Sequence, residues 1–204
     1  MRVSCVMATH NRRRFVPAAV ACFLAQTLVD SELVIVDDGD DSVRDLVPEG
    51  DRVRYVPVLG KHHFCRLRDV GLHLARGRYV AVWDDDDLSH PERLAVQVAE
   101  LERSGKGLCF LASSIVTREE PPARWVYAPR EPWPLDNSAV FSARRGFSFH
   151  ADSTCYSALR ALKEAFTEDV TLVQGRPELL VTRRHDSNTC GRPCGVGPDW
   201  RVVD

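Results

Sequence analysis

The feature that most constrains this chain is a run of four aspartates, residues 84–87, directly behind the apolar segment 79–83. That segment is continuously apolar and rich in β-branched and aromatic residues, which predicts a short buried strand. Behind the acids, Ser89 and Glu92 have the spacing of a capping box, which predicts the start of a helix. The carboxylates are therefore expected in a strand-to-helix turn at the carboxyl end of a strand, where open α/β sheets bind ligands.

Four adjacent carboxylates are costly to bring together without a counter-charge. Two of them about 5 Å apart repel by about 3 kcal/mol at an effective dielectric near 20. A divalent cation among them removes this cost, and hard oxygen ligands suit Mn²⁺ or Mg²⁺. The alternative is a solvated acidic loop, which is the commoner role of a charge run. The position of the run behind a strand favours a metal site that carries a phosphorylated ligand.

Composition limits the other classes of function. With 204 residues, the chain is long enough for one substantial domain, and its formal net charge of −2 gives no general attraction to nucleic acid or to anionic membranes. Seven cysteines form an odd set without a disulfide-framework pattern. No apolar stretch is long enough for a signal peptide core or a transmembrane segment, so we expect a cytoplasmic protein. A homodimer is compatible with this composition.

The order of strand-like and helix-like segments predicts the fold class. Apolar strand-like runs at 3–8, 33–36, 53–58 and 79–83 alternate with helix-like segments at 15–24, 64–75 and 91–103. This alternation predicts an α/β fold with a mostly parallel sheet. Gly77 is expected to end the second helix. The second half is less regular, with strands expected near 108–115, 125–127, 137–142 and 179–182 and a helix near 153–166.

A second acidic strand end lies at Asp37, Asp38 and Gly39. In a parallel sheet, this turn and the aspartates at 84–87 emerge on the same edge, so both are expected to line one cleft. A carboxylate there can accept hydrogen bonds from a nucleobase or a ribose hydroxyl, while a second acidic group holds the metal. The alternative for Asp37 and Asp38 is a purely structural polar turn.

Together, these motifs resemble the nucleotide-sugar-dependent glycosyltransferases of family 2. The resemblance covers residues 3–103, about half of the chain, and depends on the order and spacing of the motifs. They are the opening strand with its Thr-His-Asn turn at 3–11, the second strand and its aspartates at 32–39, Arg-Asp-Val-Gly at 68–71, Ala-Arg-Gly-Arg-Tyr at 75–79, and the aspartates at 84–87 followed by Pro91.

The resemblance implies a Rossmann-like GT-A fold, with a mostly parallel sheet flanked by helices and a smaller mixed subregion on the acceptor side. One domain, 1–204, would comprise a nucleotide-sugar-binding half, 1–103, and an acceptor and catalytic half, 104–204. The implied reaction moves a sugar from a nucleotide-diphospho-sugar, above all a UDP-sugar, to an acceptor hydroxyl with inversion. The acceptor itself is left unidentified.

The resemblance also implies roles for individual residues. The donor-binding residues would be Thr9, His10, Asn11, Asp38, Arg68, Asp84 and Asp85, and the metal ligands would be Asp86, one of Asp84 and Asp85, and His185. His10 stands where tyrosine is common in the family and Asp69 where asparagine is usual. We therefore expect the base and donor preferences to differ from those of relatives.

Asp152 is the implied catalytic base. It lies in segment 149–153, which resembles the family's Glu-Asp region, although Ala151 replaces the glutamate. At a helix N-terminus, the local positive potential would keep its carboxylate ionised. Simple N-capping is the alternative role.

Two other functions fit part of this pattern. A sugar-phosphate nucleotidyltransferase also uses a nucleotide, a metal and an α/β sheet, but it usually needs a glycine-rich phosphate loop, which the turn at 9–11 lacks. A catalytically inactive GT-A domain that only binds a nucleotide is the non-enzymatic alternative.

Overall fold

The computed structural model of the chain describes residues 1–119, 122–129, 136–143, 147–149, 157–186, 188 and 198–203. The strands are β1 (Val3–Thr9), β2 (Ser31–Asp37), β3 (Val53–Pro57), β4 (Tyr79–Val82), β5 (Leu88–Ser89), β6 (Leu108–Leu111), β7 (Ser114–Arg118), β8 (Ala123–Tyr127), β9 (Val140–Ser142), β10 (Val170–Val173), β11 (Leu180–Arg184) and β12 (Trp200–Val202). The α-helices are α1 (Val16–Leu24), α2 (Phe64–Leu74), α3 (Arg93–Ser104) and α4 (Ser157–Phe166). Short 3-10 turns span Arg44–Leu46, Asp136–Ser138 and Pro177–Leu179.

Among the described residues, seven strands form the main sheet, in the order β10-β6-β9-β4-β1-β2-β3. β1 runs parallel to both β2 and β4, and β3 runs parallel to β2 at the edge. β9 is antiparallel to β4 and to β6. The predicted α/β fold with a mostly parallel sheet is confirmed, and β3 is an edge strand.

A second, mixed sheet lies in the later half of the chain, with strand order β12-β8-β7-β11-β5. β11 pairs parallel with β7 and antiparallel with β5, the two-residue strand directly behind the aspartates. The second sheet therefore connects the residues after position 180 to the acidic turn. It matches the smaller mixed subregion expected from the sequence.

Helices cover both faces of the main sheet. Alternating residues of β1, such as Val3, Cys5 and Met7, pack against α1 and α3 on one face. On the other face, Val6 packs in a separate cluster with residues of α2 and α4. Complete burial of each large apolar side chain contributes about 1.5–3 kcal/mol. Because both faces are covered, the continuous apolar runs of the sequence become central strands.

Gly77 does not end α2, contrary to the sequence-based expectation. The helix ends at Leu74, with Ala75 as its C-cap. Gly77 instead lies against the start of β1, where a Cβ atom would come within 2.5 Å of the backbone nitrogen of Ser4. Its backbone nitrogen donates to Ser4 Oγ at 2.8 Å. The glycine is required by close packing of two backbones rather than by a helix end.

The predicted capping box at Ser89 and Glu92 is also wrong. α3 starts at Arg93, and the Glu92 N-cap makes no side-chain cap bond. Ser89 belongs to β5, and its hydroxyl accepts a hydrogen bond from Arg93 Nη1 at 2.9 Å. The backbone nitrogen of Glu92 is capped by His90 Nδ1 at 3.2 Å. Because the Ser89 hydroxyl is bound to the buried Arg93 side chain, it does not cap the start of the helix.

In the second half, the strand expected at 137–142 is shorter, because a 3-10 turn (Asp136–Ser138) precedes β9. The expected helix near 153–166 is described from Ser157, and the strands β5, β10 and β12 were not predicted. Within the described part of the chain, no helix is long and apolar enough to cross a membrane.

Candidate active site

The carboxyl ends of β1, β2 and β4 meet at one edge of the main sheet. Thr9 lies opposite Asp37 in the β1–β2 pairing, and Val6 lies opposite Val82 in the β1–β4 pairing. Continuing the second register by three residues sets Thr9 beside Asp85. Thr9 Oγ1 indeed donates a hydrogen bond to Asp85 Oδ2 at 2.7 Å. The acidic turns behind β2 and β4 thus lie side by side at the carboxyl ends of the parallel strands.

Asp37 builds the turn behind β2. Its Oδ1 accepts a hydrogen bond from the backbone nitrogen of Gly39 at 2.9 Å. Its Oδ2 accepts from the backbone nitrogen of Val43 at 3.1 Å and from the Tyr55 hydroxyl at 2.9 Å. With both oxygens engaged inside the protein, Asp37 has the structural role that the sequence left open.

Asp38, which follows Asp37 in the turn, contacts His10, one of the predicted donor-binding residues. Its Oδ1 lies 2.8 Å from His10 Nδ1, and its Oδ2 accepts from the backbone nitrogen of His62 at 2.6 Å. The Asp38 side chain is fully buried, whereas a third of the His10 side chain is exposed. The carboxylate therefore orients an imidazole whose ring reaches solvent. Sequence reasoning assigned no role to His62, and no local pattern marks its backbone contact.

Asn11 shapes the loop between β1 and α1. It has φ of 53°, in the left-handed region that asparagine tolerates better than most residues. Its Oδ1 accepts a hydrogen bond from the backbone nitrogen of Asp41 at 3.0 Å. Asn11 thus joins the loops that follow β1 and β2.

Arg12, the next residue, reaches into the acidic turn. Its Nη1 donates to Asp85 Oδ1 at 3.1 Å and to Asp86 Oδ2 at 3.0 Å. Asp85 is held between Thr9 and Arg12 and is buried. Burial, and then the charge of Asp86, raise the pKa of Asp85 to about 7 despite the nearby guanidinium.

Arg68 links the acidic turn to the later half of the chain. Its Nη2 donates to Asp84 Oδ1 and its Nη1 to Asp136 Oδ2, each at 2.7 Å. Its guanidinium also lies 4.9 Å from the centre of the Phe64 ring. Burial opposes its charged form, but the two carboxylates outweigh this effect and raise the pKa of Arg68. Sequence reasoning missed Asp136, which carries no local signal of its partner 68 residues away.

The segment behind β11 returns to Asp86. His185 Nε2 lies 3.1 Å and Asn188 Nδ2 lies 3.2 Å from Asp86 Oδ2. Burial, together with the charges of Arg12 and Arg14, lowers the pKa of His185 although Asp86 opposes this. The neutral imidazole, which is the form that binds metals, is therefore favoured.

Asp87 is buried and is held by residues of the later half of the chain. Its Oδ2 accepts from Asn137 Nδ2 at 2.5 Å, and its Oδ1 accepts from the backbone nitrogen of Arg183 at 3.2 Å. Burial, and then the charges of Asp86 and Asp84, raise the pKa of Asp87 well above its ordinary value. Asn137 and Arg183 are further site residues that the sequence did not single out.

Three of the four aspartates form a group that could hold a metal. One oxygen from each of Asp84, Asp86 and Asp87 lies within 4.8 Å of the others. Asp85 is not in this group, since its carboxylate turns to Thr9 and Arg12. A set of hard carboxylate oxygens fits Mn²⁺ or Mg²⁺. Between the two alternatives for the second ligand, the geometry favours Asp84, and it adds Asp87, to which the sequence assigned no ligand role.

The predicted base, Asp152, lies outside the described residues, as do Cys190 and Cys194. The segment just before it is anchored by Asp69. Asp69 Oδ2 accepts from the Ser148 hydroxyl at 2.8 Å, and its Oδ1 accepts from the backbone nitrogen of Phe149 at 2.6 Å. An aspartate accepts at both oxygens, which gives a physical reason for Asp69 where asparagine is usual.

Comparison with known structures agrees with this fold. S. aureus TarS (residues 1–349), solved with UDP-GlcNAc, matches with a TM-score of 0.73 and 14% identity over 92% of this chain and 60% of that chain. The mannosyltransferase PcManGT from Pyrobaculum calidifontis, solved with GDP-Man and Mn²⁺, matches with a TM-score of 0.70 and 16% identity over 90% of this chain and 56% of that one. The predicted GT-A fold is confirmed.

Sequence comparison identifies the family. Succinoglycan biosynthesis protein ExoO of Rhizobium meliloti is 33% identical over 106 residues, 50% of this chain and 30% of its own length. The chain spans about half the length, or less, of the curated relatives it matches. The model of the family described as "Glycosyl transferase family 2" matches residues 4–166. The chain therefore belongs to glycosyl transferase family 2, a family of transferase enzymes.

Proposed function

We propose that this chain transfers a sugar from a UDP-sugar to an acceptor hydroxyl, with inversion and with Mn²⁺ or Mg²⁺ bound at the acidic turn. The observation that carries the proposal is the group formed by Asp84, Asp86 and Asp87, with oxygens within 4.8 Å of one another. This group lies on the sheet edge that also holds Thr9 and Asp38, in a chain of family 2.

The nucleotide would bind at the ends of β1 and β2. Asp38 is a buried carboxylate whose contact at 2.8 Å orients the His10 ring for stacking on the base. A direct hydrogen bond from a base N–H to Asp38 would require the His10 ring to move away from Oδ1. Asn11 holds the loop beside them. The complexes of TarS with UDP and with UDP-GlcNAc support a UDP-sugar as the donor.

The diphosphate would lie over the acidic turn. Asp84, Asp86 and Asp87 would hold the metal, with His185 beside Asp86. A bound divalent cation supplies Lewis-acid stabilisation of the charge that develops on a departing diphosphate. Arg68 fixes the direction of Asp84 through its bond at 2.7 Å, so its own role is to position a ligand.

Asp152 would act as the base. Its carboxylate would take the proton of the acceptor hydroxyl while that oxygen attacks the anomeric carbon. The bond to the nucleotide diphosphate breaks on the opposite side, which inverts the anomeric centre. Asp69 holds Ser148 and Phe149, three or four residues ahead of the proposed base.

Release of nucleotide from a panel of nucleotide-sugars, with Mn²⁺ present, tests the proposal. We expect UDP release from a UDP-sugar, reduced at least about 100-fold in Asp86→Asn, because the variant would lose a ligand of the cation that offsets the charge of the departing diphosphate. The exposed Asp51→Asn is the matched control and should retain full activity. Pyrophosphate release from a nucleoside triphosphate and a sugar phosphate would instead support a nucleotidyltransferase. Nucleotide binding without turnover of any donor would support an inactive domain.

A further inference from the structure

Arg12 contacts two of the four aspartates of the acidic turn. Its Nη1 lies 3.1 Å from Asp85 Oδ1 and 3.0 Å from Asp86 Oδ2, and 19% of its side chain is exposed. The residue comes from the loop between β1 and α1, so it reaches the aspartates from a different segment of the chain. A permanent positive charge thus lies against two of the four carboxylates.

The oxygen that Arg12 contacts on Asp86 is crowded. Asp86 Oδ2 also lies 3.1 Å from His185 Nε2 and 3.2 Å from Asn188 Nδ2. A carboxylate oxygen has two lone pairs, so three nitrogen neighbours leave it saturated. Coordination of a cation through this oxygen would require one neighbour to move. Of the three, Arg12 alone carries a permanent charge, which a divalent cation repels.

We infer that Arg12 is a built-in counter-ion that competes with the metal for Asp86, an inference that rests on the proposed function. Without metal, Arg12 neutralises the repulsion within the turn and holds it together. When metal binds, Arg12 swings off Asp86 and its charge is available to the donor diphosphate beside the turn. A cation bound through the other oxygen of Asp86 would still lie within a few ångströms of the guanidinium, and the repulsion between the two charges would weaken its binding.

Arg13, the next residue, does not share this position. Arg13 points away from the turn and pairs with Asp45, with Nη1 to Oδ1 at 2.6 Å and Nη2 to Oδ2 at 2.7 Å. It is also 3.6 Å from Asp41. Arg13→Gln therefore removes the same charge from the same loop without touching the acidic turn, which makes it the matched control for Arg12→Gln.

Titration of Mn²⁺ alone into the intact chain tests the inference, with free Mn²⁺ followed by electron paramagnetic resonance. We expect Arg12→Gln to bind Mn²⁺ at least about tenfold more tightly than the unsubstituted protein, since it removes a like charge a few ångströms from the cation. Arg13→Gln should stay within about twofold, because its charge is distant and solvent-screened. Arg12→Lys, which keeps the charge but not the guanidinium whose Nη1 contacts both carboxylates, should lie between them and serves if Arg12→Gln does not fold.

The outcomes separate the inference from the function. An unchanged or weaker Mn²⁺ affinity in both Arg12 variants, with Asp86→Asn losing binding, would overturn the competition and leave the metal site standing. Failure of every variant and of the unsubstituted protein to bind Mn²⁺ would overturn the metal site and the inference together. A second readout is the rise in unfolding temperature on adding Mn²⁺, which should be larger for Arg12→Gln than for the unsubstituted protein.

Discussion

Thr9 Oγ1 donates a hydrogen bond to Asp85 Oδ2 at 2.7 Å and so joins the end of β1 to the turn behind β4. Both residues are 2% exposed. The bond turns Asp85 inward, and Arg12 holds its second oxygen. Asp84, Asp86 and Asp87 are then the aspartates with oxygens grouped for a metal. The buried Thr9–Asp85 hydrogen bond thus gives Asp85 a structural role and leaves the other three aspartates as candidate metal ligands.

Thr9→Val should destabilise the protein by about 1–3 kcal/mol, because it keeps the shape of the side chain but leaves a buried carboxylate oxygen without its donor. Urea unfolding measures this change. Thr27→Val is the control, since its hydroxyl is exposed and donates to the carbonyl of Pro91; its effect should be below about 0.5 kcal/mol. Equal losses in the two variants would show that the Thr9–Asp85 bond has no special weight.

Arg68→Met should lower the free energy of unfolding by about 1–3 kcal/mol. The change removes the bridge between Asp84 and Asp136, whose side chains are 30% and 24% exposed, so solvent screening reduces the loss below that of a fully buried pair. Arg68→Lys should recover only part of this loss, because one ammonium lacks the fork that spans both carboxylates. Chemical denaturation of both variants measures the difference.

Arg103, an exposed arginine that pairs with Glu100, supplies the control for Arg68, and Arg103→Met should produce no resolvable change because its guanidinium is screened by solvent. If Arg68→Met were as stable as Arg103→Met, the bridge would not hold the turn.

Stability should fall at alkaline pH because of two buried thiols. Burial raises the pKa of Cys5 and of Cys109 from 9.0 to about 12. Above pH 9, the unfolded chain loses these protons while the folded chain keeps them, so the folded state binds more protons. The free energy of unfolding therefore falls between about pH 9 and 12, by up to about 1.4 kcal/mol per thiol and pH unit.

Urea unfolding at pH 8 and pH 10 checks this, and the double variant Cys5→Ala with Cys109→Ala should show a shallower fall than the unsubstituted protein. Cys22→Ala, at a half-buried cysteine, is the control and should keep the original slope. Identical slopes in all three proteins would contradict the effect of the buried thiols.

Asp152→Asn should stop sugar transfer while leaving UDP binding in the presence of Mn²⁺ within about twofold. The amide cannot accept the proton of the acceptor hydroxyl, whereas the proposed nucleotide contacts lie at the ends of β1, β2 and β4; loss of a general base typically costs about 10²–10⁴-fold in rate. Transfer assays and calorimetry on the same preparation measure the two effects. A variant that loses UDP affinity along with its activity would show that Asp152 supports the donor site instead.

The first half of the fold could be predicted from the sequence because β1, β2 and β4 are buried on both faces. Such strands appear as continuous apolar runs, and their polar ends mark the site edge directly. Asp38 and the aspartates at 84–87 were found in this way, whereas Thr9 was implied by the family resemblance. The separation of Asp85 from the other three aspartates could not be predicted, because it depends on contacts with Thr9 and Arg12, which lie more than 70 residues earlier in the chain.

The later residues of the site could not be predicted because their contacts are long-range and their local patterns are ordinary. Asp136 and Asn137 occupy a 3-10 turn, although Asn137 was predicted to begin a strand, and their side chains contact Arg68 and Asp87. β5 has only two residues and exists because it pairs with β11. A sequence pattern carries no information about such pairings until the second sheet is formed.

The most direct test of the account is calorimetric binding of UDP with Mn²⁺ and, separately, with a chelator. Because the metal would be shared by the diphosphate and the acidic turn, we expect UDP to bind at least about tenfold more tightly with Mn²⁺ than without it. Asp86→Asn should lose this difference, and Asp51→Asn should retain it. Equal UDP affinity with Mn²⁺ and with the chelator in the unsubstituted protein, or no UDP binding in either condition, would contradict the account.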